Sequence, residues 1–199
     1  MSKTLKAFFS DHHGAIVSIV VVLVVVIVGA VIMDGFNGNT LNRARAAVDS
    51  ARKEVDALLD RRFELASELS PVLQALTIEA RSMSDGLDAT VSAYRMAGDA
   101  AVPVSDSYNQ LDDILKQLQR TLILRPSLQE GSDGQTVVRL LKTLGECEEA
   151  LVGAMSAYED AALQLERRID SFPMNFSASR RGISTPPRFS IQRALQTKP

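Results

Sequence analysis

Apolar residues follow two different patterns along this chain. From Gly14 to Met33 (GAIVSIVVVLVVVIVGAVIM) they are continuous, with no charge in 20 residues. At about 1.5 Å of helical rise per residue, that run matches the roughly 30 Å hydrocarbon core of a bilayer. From Leu41 onward apolar or small residues instead recur at alternating steps of three and four, the spacing of one face of a packed helix. The first pattern predicts a transmembrane helix, and the second a set of amphipathic ones.

The first seam reads Leu41, Ala44, Val48, Ala51, Val55, Leu58, Arg62, Leu65 and Leu69, so one of its positions is an arginine. Past Pro71 the register slips to Leu73, Leu76, Ala80, Met83, Leu87, Thr90, Tyr94 and Ala97. Either Pro71 kinks the helix or the chain reverses within residues 77–86, where Ser84-Asp85-Gly86 is a turn signal. Gly98 to Ser105, with Pro103 inside, leads to a short helix from about Asp106 to Leu124, closed by Arg125-Pro126 and a polar loop at 129–134. The last seam holds its spacing through Val137, Leu140, Leu144, Cys147, Leu151, Ala154, Tyr158, Ala161, Leu165, Arg168 and Phe172, and Pro173 stops it. A helix of that kind asks for antiparallel neighbours. From Ser177 the chain turns to serine, arginine and proline, a composition expected to stay flexible.

These patterns predict an all-α protein: a single N-terminal transmembrane helix followed by a long antiparallel bundle of three to four helices. The expected divisions are residues 1–33 for the tail and membrane helix, 34–176 for the bundle and 177–199 for a basic tail. The segment Asp34-Gly35-Phe36-Asn37-Gly38-Asn39 reads as a short linker. Lys3 and Lys6 precede the apolar run and Val28-Gly29-Ala30 offers small residues, as in a secretory signal. Signal h-regions are shorter, roughly 7–15 residues, so the run reads as a retained anchor. Orientation stays open, because Arg43, Arg45, Arg52 and Lys53 on the far flank balance Lys3 and Lys6.

Composition adds exclusions. A net charge of −2 with no basic patch gives no reason to expect nucleic acid. The single cysteine, Cys147, permits no intramolecular disulfide. His12 and His13, the two histidines, precede the anchor, so Cys147 has no histidine in the domain to activate it and reads as a buried structural thiol. His12 and His13 themselves read as an interfacial polar cluster, since adjacent helical residues point about 100° apart. Glu148 and Glu149 resemble half of a carboxylate metal site, but such sites use Glu-x-x-His and the domain offers no histidine. No cofactor, metal or catalytic residue is expected.

Arg62 and Arg168 carry the sharper question, because both fall on seam positions. An arginine inside a bundle either snorkels to the edge or finds a carboxylate. Glu148, Asp56 and Glu64 are candidate partners, and two readings stand side by side: the seam opens to solvent there and the stems merely pack, or a buried polar pair, Arg62 with Glu148, fixes helix register.

A family resemblance then emerges from the ordered motifs. An N-terminal membrane helix, Asn42-Arg43, Val55-Asp56 and Leu59-Asp60-Arg61-Arg62-Phe63-Glu64-Leu65 resemble the LemA family, membrane-anchored bacterial proteins with a helical bundle. Arg125-Pro126-Ser127-Leu128, Glu148, Tyr158 and Phe172-Pro173-Met174-Asn175 with Ala178 and Gly182 are similar to later family landmarks. Ser67, where the family usually has proline, and Tyr158-Glu159 and Leu165-Glu166, in place of its Tyr-Asn pairs, depart from the pattern. The resemblance implies a single-pass protein of the bacterial cell (inner) membrane and a non-catalytic scaffold or adaptor. Its expected partners are the lipid bilayer and membrane or membrane-surface proteins, or further copies of itself as a homo-oligomer. The alternatives are membrane-surface remodelling through Arg180, Arg181, Arg188, Arg193 and Lys198, or a hydrolase with an unrecognised site.

Overall fold

A computed structural model describes residues 13–98 and 101–187. They form five α-helices, α1 (His13–Leu76), α2 (Ile78–Ala97), α3 (Ala101–Leu124), α4 (Gly131–Asp170) and α5 (Met174–Arg180), with a 3-10 turn (Pro126–Gln129) between α3 and α4. No strand occurs among the described residues, so the protein is all-α. Two compact units arise, one from residues 47–162 with 186–187, the other from 13–46 with 163–185. Lys3, Lys6, His12, Arg188, Arg193 and Lys198 lie outside the described residues.

In the larger unit four helices share one core. Leu65, Leu69 and Leu73 of α1 meet Met83, Leu87 and Val91 of α2, Leu111, Leu115 and Leu118 of α3, and Val137, Leu140 and Leu144 of α4. Each fully buried leucine contributes about 1.5–3 kcal/mol of transfer free energy. Beside its expected seam, α1 buries a second stripe, Leu59, Phe63, Ala66, Ser70 and Leu73. The resulting apolar face is wide enough for more than one neighbour.

Pro71 does not end α1, which runs on to Leu76. The reversal is made by Thr77 alone, extended at φ −152° and ψ 165°, whose hydroxyl accepts from Ala80 N at 3.2 Å and so caps α2. Ser84-Asp85-Gly86 is accordingly helical rather than a turn. Ser84 is held inside: its Oγ donates to Ser70 O at 3.0 Å, leaving Ser70 Oγ to donate to Ser84 Oγ at 2.7 Å. This buried hydroxyl pair ties α2 to α1.

In the smaller unit every side chain of Val20–Val28 is exposed, as are Ile32 and Met33. One helix among the described residues is therefore long and apolar enough to cross a membrane. The expected linker at 34–39 is helical and continuous with α1. Its two glycines each disfavour helix by about 1 kcal/mol, and tertiary contacts outweigh that cost. Asp34, Gly38 and Leu41 share one face, with Leu41 fully buried, Ser177 Oγ donating to Asp34 Oδ1 at 2.7 Å, and the Arg181 guanidinium lying where a Cβ on Gly38 would sit. The Ser177 hydrogen bond, with Arg180 and Arg181 nearby, holds the Asp34 carboxyl below the usual carboxylate range.

Two other expectations change here. The chain does not become a flexible tail at 177: Ser177, Ala178 and Ile183 are buried, α5 extends to Arg180, and Tyr158 Oη donates to Pro187 O at 2.5 Å. A few apolar side chains and the Asp34 anchor suffice where average composition suggests otherwise. Phe172, expected on the last seam, is 80% exposed because α4 ends at Asp170.

Gly134, in the first turn of α4, faces the 3-10 turn so closely that a Cβ would fall 2.6 Å from Gln129 C and 2.9 Å from Gln129 Cα. Gly153, on the exposed side of the same helix, has nothing within 4 Å. Gly134→Ala should therefore destabilise the protein by roughly 1–3 kcal/mol, while Gly153→Ala should stabilise it by about 0.5–1 kcal/mol. Denaturant midpoints of the two variants check this, and a shift in the same direction for both would contradict it.

Candidate functional site

The most unusual chemistry of the larger unit lies at Arg62. Its side chain is 3% exposed, so the seam does not open to solvent there. The guanidinium lies 4.2 Å from the centroid of the Tyr108 ring, close enough for a cation–π contact. Arg62 Nη2 is 3.0 Å from Glu148 Oε2 of α4 and 3.9 Å from Asp112 Oδ1 of α3. Tyr108 Oη donates to Glu148 Oε1. One cation from α1 thus joins two carboxylates and a phenol from two other helices.

The carboxylates are less buried than the arginine, Asp112 at 23% and Glu148 at 30% exposed. They rim a cavity of about 130 Å³ lined also by Leu115, Lys116, Gln119, Leu141, Leu144 and Gly145. Lys116 Nζ contacts Asp112 Oδ2 at 2.6 Å, which brings a second cation to the same carboxylate. Arg62 Nε and Nη1 have no hydrogen-bond acceptor. The Tyr108 ring offsets part of that deficit. Burial is the main force raising the Tyr108 pKa above the ordinary phenol value; the Glu148 hydrogen bond adds to it, and the Arg62 charge opposes it. The phenol is thereby kept as a donor.

Of the residues singled out in the sequence, Arg62 and Glu148 stand together. Asp56 and Glu64 do not join them: Asp56 lies 3.7 Å from Arg52, and Glu64 2.6 Å from Arg61 on the exposed side of α1. Arg168 is half-buried in the other unit, where its Nη1 donates to Thr40 O at 3.5 Å. Glu149 is exposed. Asp112 and Tyr108, which belong to α3, are not among those residues, and no seam is expected for that helix. That helix does carry one: Tyr108, Leu111, Leu115, Leu118 and Leu122 keep the same three-four steps, a signal that places the phenol inside.

Nearby, the Tyr94 ring stacks on Phe63 at 3.8 Å between centroids, and Tyr94 Oη donates to Asp60 Oδ1 at 2.7 Å. With Ala57, Arg61, Glu64 and Arg95 they line a shallow groove. Cys147 is buried one residue before Glu148, 3.5 Å from Leu58 O, and burial pushes its thiol pKa up. No group of three or more metal-ligating side chains forms among the described residues.

The model of the LemA family matches residues 51–199, which takes in Arg62, Tyr108, Asp112 and Glu148. The chain belongs to the LemA family. No curated protein matches it. The motifs behind the LemA resemblance sit at joints of the fold. Asp60 holds Tyr94, Arg62 and Glu148 meet in the core, and Tyr158 reaches Pro187. Asn175 Oδ1 accepts from Phe176 N at 2.9 Å, and Gly182 adopts a positive φ of 61°.

Arg62→Ala should cost this LemA-family protein about 3 kcal/mol, the lower end for breaking a buried pair, because Glu148 loses its cation while Asp112 keeps Lys116. Arg61→Ala, at an exposed pair, should cost under about 1 kcal/mol. Equal small losses at both would place Arg62 in water, and a double-mutant cycle with Glu148→Ala measures the coupling directly. Cys147 should label slowly with a thiol reagent near pH 8 and rapidly in denaturant, since its raised pKa and burial both suppress the thiolate. Native labelling as fast as a free thiol would contradict that.

Proposed function

We propose that this LemA protein is a membrane-anchored, non-catalytic scaffold that presents helix faces to partner proteins at the bacterial cell membrane. The carrying observation is the exposed, uncharged apolar run, Val20–Val28 with Ile32 and Met33, in a helix long enough to span a bilayer. Soluble monomers rarely leave an apolar surface of that kind in water. The chemistry of the bundle supports the non-catalytic reading: its buried charge, Arg62, is engaged by Glu148, Asp112 and the Tyr108 ring. Recognition then falls to exposed side chains of the helices, such as Met96 at the end of α2 and Ile123 and Leu124 at the end of α3.

Full-length protein should remain in the membrane pellet after a carbonate wash, and Leu23→Arg should move a large fraction to the supernatant. An arginine at mid-span opposes insertion by about 2.5–3.5 kcal/mol. Photo-crosslinkers at Met96 and Leu124 in intact membranes should give discrete protein adducts that Leu23→Arg abolishes. Wild-type protein washed out by carbonate would overturn the anchor. Turnover of a small molecule by purified protein, lost in Glu148→Gln without loss of fold, would overturn the non-catalytic role.

A further inference from the structure

The smaller unit carries a second apolar surface, separate from the span. The uncharged run ends at Met33, and the next residue, Asp34, is the point at which α5 is fastened. Besides the Ser177 hydrogen bond, Arg181 Nη2 donates to Asp34 O at 3.3 Å, and Arg180 Nη1 and Arg181 Nη2 lie 3.7 and 3.8 Å from Asp34 Oδ2. These contacts hold α5 at the level where the helix leaves its apolar stretch. Ser177 and Ala178 are the buried side of α5. Phe172, just before α5, and Phe176 within it meet edge to face, centroids 6.0 Å apart, and are 80% and 65% exposed. Phe36, two residues past Asp34 and so roughly 200° around α1, is 78% exposed.

Three large aromatic side chains left in water in the unit that carries the span call for a covering partner. The charge around them indicates which. Residues 34–46 and 163–185 hold six arginines, Arg43, Arg45, Arg167, Arg168, Arg180 and Arg181, against Asp34, Glu166 and Asp170. A cationic excess in the segments that carry exposed phenylalanines, beginning where an apolar span ends, is the chemistry of an interfacial lipid contact: rings among the headgroups, guanidinium groups at the phosphates. We propose that Phe36, Phe172 and Phe176, with Arg180, form a docking surface for the anionic leaflet that borders the span. This rests on the membrane reading of the span, and it gives α5 a function of its own, that of seating the smaller unit on the bilayer.

The chain has no tryptophan, so single substitutions supply depth probes. Full-length Phe176→Trp, Val24→Trp and Met96→Trp, each with an unchanged helical spectrum, would be reconstituted in phosphatidylcholine vesicles with and without phosphatidylglycerol. Lipids brominated at defined acyl positions serve as quenchers. Phe176→Trp should show blue-shifted emission, quenched most by shallow bromines and more strongly with phosphatidylglycerol. Val24→Trp should be quenched by deep bromines, and Met96→Trp, 82% exposed at its native residue, should stay solvent-like. Adding Arg180→Glu to Phe176→Trp should remove the phosphatidylglycerol-dependent gain. Deep quenching of Val24→Trp with water-like emission from Phe176→Trp would overturn this surface and leave the span standing. Loss of quenching at both positions would overturn both. Blue-shifted emission from Phe176→Trp that bromines do not reach, and that fades on dilution of protein in lipid, would assign the surface to a second copy of the chain and overturn the lipid contact.

Discussion

A guanidinium among leucines is the condition that the larger unit has to satisfy. Desolvating Arg62 costs several kcal/mol unless opposite charge and hydrogen bonds return most of it. What returns it comes from helices far apart in sequence: Tyr108 and Asp112 from α3, Glu148 from α4. A one-residue slip of either helix would turn its carboxylate away by about 100° and strand the cation. Leucine seams tolerate such slips far better, because one leucine resembles the next. Fixing register in this way is a role attested for buried polar residues in other bundles.

A second polar device works about two turns further along α1. The Ser70–Ser84 pair and the Thr77 cap fix how α2 starts and where it lies. Both places are small and fully bonded, so they specify geometry without leaving a buried group unsatisfied. Arg62 differs, since two of its nitrogens lack acceptors beside a cavity that its carboxylates rim.

Much of this is legible in the sequence because a three-four rhythm of leucines is hard to mistake. The seams on α1 and α4 and the inward position of Cys147 follow from that rhythm; for Arg62 it offers Glu148, Asp56 and Glu64 alike, and the structure places Glu148 beside it. What it does not reveal depends on tertiary contact. Pro71 promises a break, yet its position in an already packed helix lets α1 continue, and the polar cap at Thr77 makes the turn instead. Gly35 and Gly38 suggest a linker, but Gly38 is where Arg181 packs. The arginine- and serine-rich stretch after 177 averages to a disordered composition, and only the contacts of Ser177 and Ala178 show it folded. Asp112 lies just off the α3 seam, and no local pattern marks it as a partner of α1.

Absence of histidine beyond His13 has a consequence for how the bundle can respond to its surroundings. Histidine is the side chain whose ordinary pKa lies between pH 5 and 8. The groups with displaced values here move away from that window: the thiol of Cys147 and the phenols of Tyr94, Tyr108 and Tyr158 upward, the carboxyl of Asp34 downward. Acidification of the medium toward pH 5 therefore meets no imidazole in the bundle poised to trip a rearrangement. A pH-sensing device of the imidazole kind is therefore not built into the bundle's sequence.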